Sequence, residues 1–560
     1  MTASSLNAIH SQVMWTRLIA VVEEQAQALL RTAFGSVVRE AGDLSAGVYD
    51  TGGRMLAQAV TGTPGHVNTM AMAVGHFLDR FPVDSMRPGD VFVTNDPWMG
   101  TGHLFDYVIV TPSFLDNRPV ALFASTCHVT DVGGRGFSAD ANSVFEEGTL
   151  IPHMRIRDAG RLNEDLFAII AGNSRNPVEV KGDIRSLISC NDTGVSRLAD
   201  MMAEFGLTAL DDLADHILTA SETATRRAIG ALPNGSFKTE MTIDGYESPV
   251  ELKAVLHIED DHARLDYAGS SPASRYGINS PKCYTDAYSA FGLKCVIAPD
   301  VPNNAGSLGC FDVDAPAGSC VAPERPSPVT ARHVIGQMLP DVVFGCLAQA
   351  VPDRVPAESA GSIWVLAMSS ADGTAAAPPG ANRPASRFNV MNVGLGGIGA
   401  GPAWDGFNTT AFPSGVGAIP VEVTETESPL IYKRKELLPD SGGAGAYRGG
   451  LSQVIEIGNT EDAAFLASAA TWDRLRFPAQ GRAGGKPGRI GTAHLGSGPA
   501  LEGKVTHTIP AGDTLVVELP GGGGFGDPHG RAASALEDDV EAGYVTPDGA
   551  KRDYGLKDQD

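Results

Sequence analysis

Two motifs of the same form, each set against a short apolar run, constrain this chain more than any other feature. They are His103-Leu-Phe-Asp106, which leads into Tyr107–Thr111, and His128-Val-Thr-Asp131, which follows Val120–Cys127. Both runs are too short to span a membrane and rich in β-branched and aromatic residues, so they read as buried strands. Asp90–Thr94, just upstream, reads as a third. Motifs at the ends of adjacent strands can converge on one point, and imidazole plus carboxylate is the donor set that holds a catalytic divalent metal. A metal site is the leading chemical expectation.

The surroundings strengthen it. Glycines flank both motifs (Gly100 and Gly102; Gly133 and Gly134), allowing close backbone approach. A further carboxylate, Asp43, sits where the first helix gives way to a strand, and His66 follows the loop Thr61-Gly62-Thr63-Pro64-Gly65. Two imidazoles with one or two carboxylates leave positions open for water and substrate. Cys127 beside His128 offers a nucleophile, but a small buried residue ending a strand is the better reading.

Nucleotide-binding motifs fail. There is no G-x-x-x-x-G-K-[ST], and Gly484-Gly485-Lys486-Pro487 and the glycine-dense segment 394–401 read as tight turns. No G-x-S-x-G elbow occurs either. Any ATP used with this chain is expected on another polypeptide. The formal charge of −24, with no basic run, argues against nucleic acid. Seven scattered cysteines without a C-x-x-C pair suit a reducing cytosol. The first 20 residues lack a signal-peptide pattern, and no stretch of 18 apolar residues occurs, so a cytoplasmic location is expected.

At 560 residues the chain exceeds one hydrophobic core. Its 66 Gly and 36 Pro favour turns over long helices. Helical spacing marks Val13–Phe34, Asn68–Phe81, Cys190–Glu204 and Thr208–Leu232, the last with Thr208 as N-cap. Asp50-Thr51-Gly52-Gly53 marks a hairpin. Pro233-Asn234-Gly235 closes a mixed α/β unit, 1–235. A central α/β unit, 236–420, follows, with strands near 237–267, the helix Tyr284–Ile297, and a helix opening at Ser327-Pro328 and running to about Val351. Residues 369–387 read as an exposed loop, and 421–560 as a β-rich C-terminal unit with a helical tail. The class is α+β, multidomain.

Read together, Gly89-Asp90-Val91-Phe92-Val93-Thr94-Asn95-Asp96-Pro97, Gly102-His103-Leu104-Phe105-Asp106 and His128-Val129-Thr130-Asp131-Val132-Gly133-Gly134 resemble the hydantoinase B/oxoprolinase family. The resemblance continues in Leu438–Gly450 and in Gly521–Pro528, covering nearly the whole chain in order. It implies Asp43, His103, Asp106 and His128 as metal ligands. The chain departs from the family in having Phe105 where proline is usual, and Cys127 where a second histidine is usual.

The resemblance also implies a hetero-oligomer with a hydantoinase A-type subunit that binds ATP and phosphorylates a substrate oxygen. An unstrained cyclic amide is a poor electrophile; phosphorylated on oxygen it becomes imidate-like, open to water activated by a cation. Zn, Mn or Fe(II) suits the donors. On this reading Asp131 supports His128 or carries a proton, and His66 faces the open position. Arg332 is a candidate for binding a substrate carboxylate or phosphate. The alternatives are a subunit of an acetone- or acetophenone-type ketone carboxylase, and a scaffold subunit with a vestigial site.

Overall fold

The computed structural model describes residues 3–61, 63–361, 363–371 and 387–556. Its N-terminal part is built on one antiparallel sheet of seven strands. These are β1 (Leu44–Tyr49), β2 (Met55–Gln58), β3 (Val91–Thr94), β4 (Asp106–Leu115), β5 (Arg118–His128), β6 (Met154–Asp158) and β7 (Arg161–Leu162), in the spatial order β2-β1-β5-β4-β3-β6-β7. Side chains alternate across a strand. Ile109, Ala121 and Phe123 therefore face the helices Ala3–Thr32 and Pro177–Phe205. Val108, Val110, Leu122 and Ala124 face the helix Pro64–Arg80. Both faces are covered, which is why these strands read as continuous apolar runs. The hairpin at Asp50 forms as expected, with the Asp50 carboxylate accepting from Gly52 N and Arg54 N.

The second sheet, ordered Phe311–Asp314, His262–Asp266, Val250–Glu259 and Gly235–Ile243, is backed by the helices Lys282–Ile297 and Leu339–Ala350. Two further four-stranded sheets enclose a third core that contains the stacked pair Trp364 and Trp472. One of them joins Trp364–Ser370 and Asn389–Gly394 to Phe465–Ser468 and Thr506–Ile509. A division at residue 420 thus runs through a sheet. Several sheets with separate helices make this a mixed α/β, multidomain chain.

Three local expectations need correction. No helix opens at Ser327: the Glu147 carboxylate takes the N–H groups of Val329 and Thr330, holding the segment as a loop until His333–Gly336 and then Leu339–Ala350. Thr208 is not a cap; the helix is Asp211–Ile229, with Leu210 before its first turn. The helix expected from Asn68 begins at Pro64, because proline fits a first turn. Most of the loop expected at 369–387 lies outside the described residues.

The glycine-dense segments near 396–401, 441–450 and 521–526 are neither phosphate cradles nor simple turns. They run against one another, joined by backbone hydrogen bonds such as Gly443 N to Gly522 O, Gly450 N to Ile398 O and Ala400 N to Gly523 O. A Cβ on Gly397 would lie 1.8 Å from the Gly450 carbonyl oxygen, and one on Gly521 would lie 1.8 Å from that of Ser441. Only glycine permits this backbone-to-backbone approach.

Candidate metal centre

Sheet register assembles the centre. Asp106 at the start of β4 lies directly opposite His128 at the end of β5, and Leu44 lies opposite Cys127. Asp43, just before β1, accepts a backbone hydrogen bond from His128 N at 3.2 Å. His103 arrives from the turn before β4. There Gly102 has φ +98° and sits so close to Arg332 that a Cβ would meet its Cδ at 2.5 Å.

The fully buried Asp106 carboxylate is the hub. Its Oδ1 lies 2.9 Å from His103 Nε2 and 3.3 Å from His128 Nδ1. Its Oδ2 lies 2.9 Å from His66 Nε2 and accepts from Arg332 Nη2 at 2.6 Å. The His103 and His128 ring centres are 5.0 Å apart. Yet His103 Nε2, Asp106 Oδ1 and His128 Nε2 are buried and make no hydrogen bond of acceptable geometry. Orphaned polar atoms are costly, and donors bound to one cation at roughly 2.0–2.2 Å sit about 3 Å from each other. His103, Asp106 and His128 therefore fit a divalent ion.

The wider surroundings fix protonation. His103 Nδ1 faces the Thr330 carbonyl oxygen at 2.8 Å, so Nδ1 carries the proton and Nε2 turns its lone pair to the centre. Burial, together with the Arg332 charge, pushes the His103 imidazole down to about 4, keeping it neutral. Burial works against ionised Asp106, but the charges of His66 and Arg332 hold it well below the usual carboxylate range. His66 is buried too, yet Asp106 and Asp43 hold it above its ordinary value. Burial raises Cys127 well above the usual thiol range, and the side chain belongs to the core, which removes it as a nucleophile.

The remaining expected residues divide. His66 sits in the first turn of Pro64–Arg80, between Asp106 and Asp43, with Nδ1 3.5 Å from Asp43 Oδ1. Asp43 also accepts from Thr63 Oγ1 at 2.8 Å; it lines the same cavity but stands apart from the three-residue cluster. Arg332 is held by Asp106, by the Thr101 carbonyl oxygen at 2.7 Å from Nε, and by the Tyr284 ring, 4.1 Å from its Cζ. Asp131 points elsewhere, into Arg175, Ser174 and Gly133 N, and among the described residues makes no hydrogen bond or ion pair with His128.

Sequence reasoning missed His333, Phe137, Tyr284 and Glu147. His333 is buried with Nε2 unpartnered, stacks on Phe137, and is held well below its ordinary value by burial and Arg332. Only its place beside Arg332 could have flagged it. Glu147, pushed up to about 7 by burial, pins the loop that brings Thr330 to His103 and Arg332 to Asp106.

These groups open onto a small cavity of about 70 Å³, lined on one side by the charged and imidazole groups and on the other by aliphatic side chains. A buried, convergent cluster of titratable groups on a cavity wall is the arrangement of a candidate metal site.

The family model for hydantoinase B/oxoprolinase matches residues 7–528, and the chain belongs to that family. It is 27% identical to caprolactamase subunit beta of Pseudomonas jessenii, covering 95% of this chain and 93% of the relative. The crystal structure of the ATP-dependent caprolactamase from Pseudomonas jessenii superposes with a TM-score of 0.89 at 25% identity, over 99% of this chain and 96% of that one. A nucleotide-free acetone carboxylase structure gives 0.84 at 18% identity, over 98% and 80%, a likeness of fold. No helix among the described residues is long and apolar enough to cross a membrane.

Proposed function

We propose that this chain is the metal-bearing subunit of an ATP-dependent cyclic-amide hydrolase. The observation that carries the reading is the Asp106 carboxylate ringed by three imidazoles on a cavity wall, with His103 Nε2 and Asp106 Oδ1 orphaned 2.9 Å apart. His103, Asp106 and His128 hold the ion, and Asp43, facing the same cavity, completes the set. When bound, a divalent cation supplies Lewis-acid polarisation and lowers the pKa of water.

The chain's own groups supply the rest. Arg332 keeps Asp106 ionised and leaves Nη1 without a protein partner among the described residues, available to a carbonyl or phosphoryl oxygen. His66, held between two carboxylates that favour its protonated form, would donate a proton to the leaving amide nitrogen. Asp131, turned away from His128, instead ties the segment after the second motif to Arg175, between the helices Glu164–Gly172 and Pro177–Phe205. Phosphorylation of the substrate falls to an A-type partner subunit, since this chain carries no phosphate-binding motif. The name "subunit beta" of the caprolactamase relative supports such an assembly.

The test is reconstitution. Alone, the chain should neither hydrolyse ATP nor open a lactam; with its A-type partner and ATP it should open the ring. ATP turnover by the chain alone, absent from the His128→Ala protein, would refute the division of labour.

A further inference from the structure

We infer that the cavity takes a carbonyl compound whose body is an uncharged hydrocarbon, and excludes one that carries a free carboxylate. This rests on the reading of the site above and narrows its substrate class. The first observation is the wall opposite the imidazoles. Ile363, Val365, Met391 and Val393 line it, from two paired antiparallel strands, together with Val37 and Ile419. Along the first strand Ile363 and Val365 keep 5% and 8% exposure, while the alternate residues Trp364 and Leu366 drop to 0% and 1% in the neighbouring core. The cavity-facing side of this strand is thus aliphatic where a polar substrate body would need partners.

The second observation is the charge inventory of the lining. Among the described residues that line the cavity Arg332 is the sole lysine or arginine, against Asp43, with Asp106 just behind it, and His66 is already paired between those two carboxylates. Two of its nitrogens are already engaged by Asp106 and Thr101. The third, Nη1, is the donor left for the reacting oxygen. A carboxylate on the substrate body would lie against aliphatic side chains or near Asp43, with no cation of its own. Of the other polar lining groups, Ser414 is taken by Tyr288 and Gln337, and Gln337 Oε1 by the Ile363 N–H, while His333 keeps Nε2 unpartnered but is held uncharged by burial and Arg332. A hydrocarbon ring, by contrast, loses nothing on entering and gains contact with the wall.

The test uses 2-pyrrolidinone and 5-oxoproline, which share one lactam ring and differ by a carboxylate, with ε-caprolactam as a larger hydrocarbon ring. Binding to the full-length, zinc-loaded chain is read by ligand-observed NMR, and ring opening with partner and ATP is read separately. Both plain lactams should bind at least tenfold more tightly than 5-oxoproline. Val393→Arg, and independently Val365→Lys, should narrow that ratio by giving the carboxylate a cation. If 5-oxoproline binds as tightly as 2-pyrrolidinone, or if none of the three binds at millimolar concentration, the inference falls. Should 5-oxoproline bind best and be opened, the hydrolase reading survives the loss of this one. If the lactams bind in the stated order and no ring is opened by the complex, the hydrolase reading fails and the cavity's preference stands.

Discussion

The metal centre and the glycine bundle are built on opposite principles. In the centre, side chains do the work: sheet register sets Asp106 beside His128, and a turn, a helix and a pinned loop bring His103, His66 and Arg332 within contact. In the bundle, side chains are excluded, because carbonyl oxygens lie where a Cβ would stand on Gly397, Gly450 and Gly521. The first region should therefore tolerate substitution structurally and fail chemically. The second should fail structurally.

The largest effect belongs to the bundle. Gly397→Ala or Gly450→Ala, each forcing a Cβ to within 2.0 Å or less of a backbone oxygen, should cost more than about 4 kcal/mol and yield little soluble folded protein. Expression and chemical denaturation check this; a variant as stable as the parent would break the contrast. Gly75→Ala is the control. That glycine sits inside the helix Pro64–Arg80 with nothing within 4 Å, so alanine should stabilise by about 0.5–1 kcal/mol.

Next comes Asp106→Asn, the one change in the centre expected to hurt the fold. It leaves buried Arg332 facing an uncharged amide, a loss of about 3–5 kcal/mol for a broken buried pair. Denaturation midpoints of Asp106→Asn and of the double variant Asp106→Asn/Arg332→Met separate the two contributions, since removing both charges should recover much of the loss.

His128→Ala should leave secondary structure by circular dichroism intact while metal content and ring opening fall together. His529→Ala, whose ring lies far along the chain against the Tyr554 carbonyl oxygen, should change neither. Activity retained by His128→Ala without metal would contradict the assignment.

A pH slope is expected at the edge of the bundle. Asp341 is fully buried, accepts from Ser359 N, and is raised to about 8 by burial, with Glu358 adding to the shift. The folded chain thus keeps a proton that the unfolded chain loses near its ordinary value of about 3.9. That stability is fully present below about pH 4 and declines as pH rises towards 8. Asp341→Asn should flatten this part of the stability profile measured by urea denaturation; an unchanged profile would show that Asp341 ionises normally.

Much of the centre was legible because its residues sit at the ends of strands whose apolar runs announce themselves. Tyr107–Thr111 and Val120–Cys127 lie within β4 and β5, and their pairing places Asp106 beside His128. The missing parts come from far along the chain. His333, Tyr284 and the aliphatic wall reach the cavity through packing between sheets, which leaves no periodic trace. The loop at 327–332 was misread because a proline after serine signals a helix start locally, whereas Glu147, distant in sequence, captures the same N–H groups. The glycine segment 394–401 was misread as a tight turn for a similar reason. Glycine marks sharp bends and close approach alike, and only the neighbouring chains decide between them.

The central claim is that one divalent ion sits among His103, Asp106 and His128. Anomalous diffraction from crystals of the chain, grown without added metal and collected above and below the absorption edge of the ion present, tests it directly. The account predicts a single strong peak roughly 2.0–2.2 Å from a nitrogen of His103, an oxygen of Asp106 and a nitrogen of His128. No peak there in protein that opens lactams with its partner, or a peak held by other residues, would contradict it.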